Sequence, residues 1–242
     1  MATGNSASRL AAILEQVRQQ PKRAAIEVWM EIFGVPDRLG VLQSSADLAR
    51  LVDQMEAEVR ALPEDEDPDH LLAFLPQIRN VVDGLLYVGN VHMNHFVDQV
   101  TGEMIYSVGV CARALRRNGH SEPTLSEDSS NQLVEDVRSV IDAVVASDLP
   151  EDLKELLVDR LRGVEAALLS VRIGGYANVE KALDALTFGA VRATKPDSEE
   201  RAQVGGWLSR LWGKLGEHAQ GAEAIAATAA STAEVVKAIT GG

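Results

Sequence analysis

Residues 148–171 read DLPEDLKELLVDRLRGVEAALLSV, and this stretch decides the fold class. Its apolar residues Leu153, Leu157, Leu161, Val164, Leu168 and Val171 recur at steps of three and four, close to a heptad repeat, which places them on one face of a helix. The DLPE at its start predicts a capping box from Asp148 to Glu151. Working outward, the same period appears in Leu133, Val137, Val140 or Ile141 and Val144, and in Val97, Val100, Met104, Val108, Cys111 and Leu115. It appears again in Leu48, Leu51 or Val52, Met55, Val59 and Leu62, with Ser44, Ser45 or Asp47 as the expected cap.

Shorter helices are expected over 8–20 and 23–33, separated by Pro21, and over 178–191. Pro76 inside LLAFLPQIRNVVDGLL predicts a kink or a new helix start, because proline lacks the N–H that a helix interior needs. Turn signals fall at 34–36, 63–68, 118–126 and 192–197, and Gly174-Gly175 predicts a helix C-terminus with a left-handed glycine. No stretch alternates with period two, and no solenoid repeat is visible. The expectation is an all-α multi-helix bundle over 1–194, followed over 195–242 by a linker and an amphipathic, Ala/Gly-rich helical tail.

Composition narrows the function. The 36 acidic residues outnumber 23 basic ones, giving a net charge of -13, so non-specific nucleic-acid binding, which needs clustered cations to displace counterions, is not expected. Aromatic residues are 4% of the chain, which leaves Leu, Val, Ile and Ala to build the core. The run 56–69 holds seven carboxylates against one arginine; it reads as a solvated loop, or as a strip for a basic partner. The single Cys111 excludes an intrachain disulfide and sits on an apolar stripe, as an inert core thiol would. Residues 1–16 lack the basic lead and apolar run of a signal peptide, and no uncharged apolar window reaches membrane-spanning length of about 18 residues. A cytoplasmic protein is expected, with peripheral membrane contact through the tail as the variant reading.

The segments EDPDHLLAFLPQI (66–78), YSVGVCARAL (106–115), SDLPEDLKELLVDRL (147–161) and VRIGGYANVEKAL (171–183) together resemble a group of uncharacterised bacterial all-helical proteins, over about 48–191. The resemblance implies a bacterial, cytoplasmic, all-helical protein and carries no activity with it.

Chemistry-bearing residues are few. In VHMNHFVDQVTGE, His92 and His95 would lie one turn apart on a helix with Asp98 and Glu103 near the same side, a nitrogen and oxygen set that could converge on zinc or a di-metal centre in a helical metal-dependent enzyme. Such a centre needs ligands from a second helix, and no matching element is present, so no metal is expected. Arg113 and His120 have the spacing of an acid–base pair, but Gly119 puts the histidine beyond the helix end. No phosphate-binding glycine loop, dinucleotide fingerprint or nucleophile elbow occurs, and no cofactor is called for.

The remaining motif is GGWLSRLWGKLG at 205–216, with two of the three tryptophans of the chain. On a helix, Leu208, Leu211, Trp212 and Leu215 share a face while Arg210 and Lys214 lie off it. Docking on the helical body, anchoring a protein partner and insertion into a membrane interface all fit that pattern. The expected function is a non-enzymatic interaction or self-association module, anchored by Trp207, Leu208, Leu211, Trp212 and Leu215 to a protein partner or a second copy. The alternative is a membrane-active effector of a bacterial stress or anti-phage system, its tail released on a trigger.

Overall fold

A computed structural model describes residues 4–20, 23–196 and 198–218. The all-α expectation is met: among the described residues there is no strand, and bridges such as that between Ala24 and His92 stand isolated. In chain order the helices are α1 (Ser6–Arg18), α2 (Ala25–Phe33), α3 (Arg38–Arg60), α4 (Pro68–Leu71), α5 (Leu75–Gly84), α6 (Asn94–Val97) and α7 (Gly102–Arg117). There follow α8 (Glu127–Val145), α9 (Glu151–Leu169), α10 (Val171–Gly174), α11 (Tyr176–Ala193) and α12 (Glu199–His218). Turns of 3-10 helix cover Glu64–Glu66 and Leu85–Asn90.

The described chain forms two compact units. One holds Gly4–Ser121 with Arg172–Gly174; the other holds Glu122–Val171 and the chain from Gly175. The sequence-based boundary near 195 falls within the second unit, between α11 and α12.

In the first unit, α1 packs on α3 and α7, and α3 runs past α2 and α5. Trp29 is fully buried at its centre, its ring 4.9 Å from Phe33 and edge-on to Phe96 at 5.4 Å. Such tilted pairs add to area burial because positive ring edges face negative faces. Asn5 caps α1 in a reciprocal box with Ser8, and its amide donates to the Ala112 and His120 carbonyls, tying the first helix to the end of α7. Ile173 joins this core, and its carbonyl accepts from Nε of Arg9, a guanidinium pushed down to about 10 by burial against the opposing pull of Glu58. The stretch Pro68–Asn90 has the length and mean hydropathy, 1.2, of a membrane span. Here it is divided among α4, α5 and a 3-10 turn, with Leu71, Leu75, Ile78, Val81, Leu85 and Val88 in the core.

In the second unit, α8, α9, α11 and α12 follow the up-and-down adjacency of a four-helix bundle: consecutive helices are neighbours and α12 closes back onto α8. The predicted stripe of α9 is buried throughout, together with Leu133, Val137 and Val144 of α8 and Val179, Leu183 and Leu186 of α11.

Four local expectations are corrected. The helix expected to begin near Ser44 starts at Arg38 under an Asp37 cap, and Ser44 and Ser45 are buried inside it, Ser45 donating to the Leu42 carbonyl. A local side-chain bond to the preceding turn lets serine sit within a helix, where sequence reading takes it for a start. The helix expected to run from Val97 through Leu115 is broken: Val97 ends α6, and Thr101 caps a fresh start at Gly102 by accepting from the Met104 N–H. The Asp148 to Glu151 capping box is not formed, because Pro150 occupies the N-cap and has no side chain to accept a bond. Pro76, by contrast, stands in the first turn of α5, the place where its missing N–H costs nothing. Gly175 takes φ 77 and ψ 170, a region open to glycine alone, and so turns α10 directly into α11; it is not the left-handed helical cap expected at the glycine pair.

Candidate helix-docking groove

The motif GGWLSRLWGKLG lies within a continuous α12. Ser198 opens the helix by accepting from the Arg201 N–H, and acidic Glu199 and Glu200 in the first turn suit its dipole. One apolar face is buried, made of Val204, Trp207, Leu208, Leu211 and Leu215, with Trp212 half-buried beside them. That face packs on α8 and α11. The five anchor residues read from the sequence are therefore brought together, and they are covered by their own unit.

Two polar contacts orient the helix in its groove. The Trp212 indole N–H donates to Thr187 Oγ1 over 3.3 Å, while that hydroxyl donates its own proton to the Leu183 carbonyl at 2.8 Å. The threonine hydroxyl thus presents a lone pair to the indole, fixing its rotor. On the other side Lys214 Nζ pairs with Asp136 Oδ1. The Asp136 side chain is 15% exposed and that of Lys214 is 43% exposed. Asp136 Oδ2 is buried without a hydrogen-bond partner among the described residues, so the lysine is the main compensation for that carboxylate. The helical period of the sequence marks neither Asp136 nor Thr187 as a contact residue. Each occupies an off-stripe or core-stripe position on a helix, and only the packing of a third helix gives it a partner.

The other candidates separate in space. His92 lies in the Ala24 bridge, His95 in α6 and Glu103 in the first turn of α7, with the α6–α7 break between them. Among the described residues no group of three or more His, Cys, Asp and Glu side chains could hold one metal ion. Arg113 stacks over the Tyr106 ring at 5.6 Å, and His120 follows the end of α7, where its N–H donates to the Leu115 carbonyl. Cys111 is buried, donates to the Leu71 carbonyl at 3.2 Å, and has its thiol pushed up to about 11 by burial. In the acidic run, Arg60 bridges Glu56 and Asp69, Arg79 reaches Glu56 and Asp53, and Arg117 from α7 holds Glu66. These arginines hold the Glu56 and Glu66 carboxyls below their ordinary range. Part of the acidity is thus internally matched.

A cleft of about 460 Å³ opens on the first unit between Leu71, Phe74, Tyr106 and Val110, with His70 and Glu103 at its rim. Its lining is mostly apolar, and Tyr106 is 67% exposed. The Ala/Gly-rich part of the tail, 219–242, lies outside the described residues, and with it the membrane contact expected there. Comparison of the chain with protein-family models, with curated proteins and with solved structures returned no match.

Proposed function

We propose that the chain is a non-enzymatic interaction module working by helix-in-groove recognition. The α8/α11 groove is the receptor surface, and α12, supplied in cis or by a second copy, is the ligand. The observation that carries this reading is the seating of α12. An amphipathic helix with leucine and tryptophan anchors at helical spacing, oriented by one hydroxyl and one carboxylate, is the arrangement by which grooves recognise partner helices. A groove complementary to α12 is complementary to the same helix on another copy, which makes self-association the first expected outcome.

The test uses the full chain and a fluorescent peptide of residues 199–218. Saturable anisotropy, weakened when Trp212 of the peptide is replaced by alanine, is expected, as is a sedimentation mass that rises between micromolar and millimolar protein. A peptide that never saturates, together with a monomer mass throughout, removes the proposal. The α12 already in place competes with the peptide, so the apparent affinity is scaled by the fraction of molecules whose groove is open.

A further inference from the structure

Two glycines of α12 have no packing reason to be glycine. A Cβ added at Gly206 or Gly213 would meet nothing within 4 Å. Neither residue has the positive φ that glycine serves at Gly34, Gly119 and Gly175. Elsewhere the chain shows what a required helical glycine looks like. At Gly40 an added Cβ would lie 2.7 Å from Val35 Cβ, an atom next to the backbone that cannot swing aside. In the interior of α12 glycine only raises the entropic cost of the helix. Docking also leaves Asp136 Oδ2, beneath Lys214, and Nε of Arg201, on α12 itself, buried without hydrogen-bond partners among the described residues.

A glycine-weakened segment of this length is a poor helix once its apolar face loses its support, because most helical stability in proteins comes from packing. Undocking and melting of α12 are therefore one event. We infer that α12 is a releasable cover: it opens as a unit while α8, α9 and α11 remain folded, and Gly206 and Gly213 set how often the groove is free. This regulation rests on the groove being the interaction surface. It gives the cover a graded setting, since any change in the closing equilibrium changes a competing helix's apparent affinity by the same factor.

Residue-resolved native-state hydrogen exchange on the full chain tests the release directly. In the unaltered protein, α12 amides are expected to exchange through an opening more frequent than the one that exposes α9. Gly206→Ala and Gly213→Ala should each slow α12 exchange about four- to five-fold, and together about twenty-fold, and should slow α9 by the same factors, because α12 is also melted in the larger opening that exposes α9. Gly163→Ala is the control, because Gly163 is an equally open glycine within α9; it should slow α9 exchange and leave α12 alone. Exchange of α12 in step with α9, with all three substitutions slowing both helices alike, would overturn the inference. The readout needs no ligand. Release without peptide binding would remove the interaction proposal and leave the cover intact, and binding without separate release would do the reverse.

Discussion

Replacing Lys214 with methionine keeps the aliphatic stem on α12 and removes the charge facing Asp136. Exposed ion pairs contribute roughly 0.2–1 kcal/mol, and breaking a fully buried pair costs roughly 3–5 kcal/mol because a charge is left uncompensated. Here the carboxylate is 15% exposed and the ammonium 43% exposed, so the site lies between these limits. After discounting for water at the lysine, Lys214→Met should destabilise the second unit by about 1–2 kcal/mol. Asp136→Asn in the same chain removes the orphaned charge, so the double variant should return to within about 0.5 kcal/mol of the parent. The assay is urea unfolding followed by tryptophan emission in a Trp29→Phe background, so that the signal comes from Trp207 and Trp212 on α12. With a urea dependence of about 1–3 kcal/mol per molar, the single variant should move the midpoint down by about 0.5–1 M. Additive effects of Lys214→Met and Asp136→Asn, with no coupling in the double-mutant cycle, would refute the assignment of Lys214 as compensation for the buried carboxylate.

Further expectations follow from the first unit. Gly34 ends α2 at φ 68 with open space around it, so Gly34→Ala isolates backbone strain and should lower stability by about 1 kcal/mol in urea unfolding followed by circular dichroism; no change would contradict that conformation. With its thiol pushed up to about 11, Cys111 should react with iodoacetamide near pH 8 roughly two orders of magnitude more slowly than a free cysteine until urea opens the unit; equal rates would disprove its burial. Glu56 and Glu66 are both held below their ordinary value of 4.5 by arginine partners, so the folded state binds protons less readily than the unfolded chain. Their stabilising contribution is present above that value and is lost as pH falls through the lower folded pKa; Glu56→Gln should flatten the acid limb below about pH 4.5, and an unchanged limb would count against the pairing.

What the sequence determined by itself is the set of helical faces. Leu153 through Leu168, Leu133 through Val144 and the Trp/Leu face of 207–215 are each buried as their spacing demands, because a three-and-four period leaves a helix with one side that water disfavours. The candidate anchors were legible for the same reason: large apolar side chains at that period are a local property of the chain. Boundaries were less legible. Ser44 and Ser45 look like caps and lie inside α3, and Val97 and Val100 keep the helical period across a break made by the Thr101 cap. Only tertiary structure decided what covers each face. Nothing local says that the groove for α12 is built from α8 and α11, that Asp136 meets Lys214 across 78 positions of sequence, or that Thr187 receives Trp212. Those pairings depend on which stripes find each other when the helices condense, a choice made by shape and charge summed over distant segments, and the sequence pattern specifies the stripes without specifying their partners.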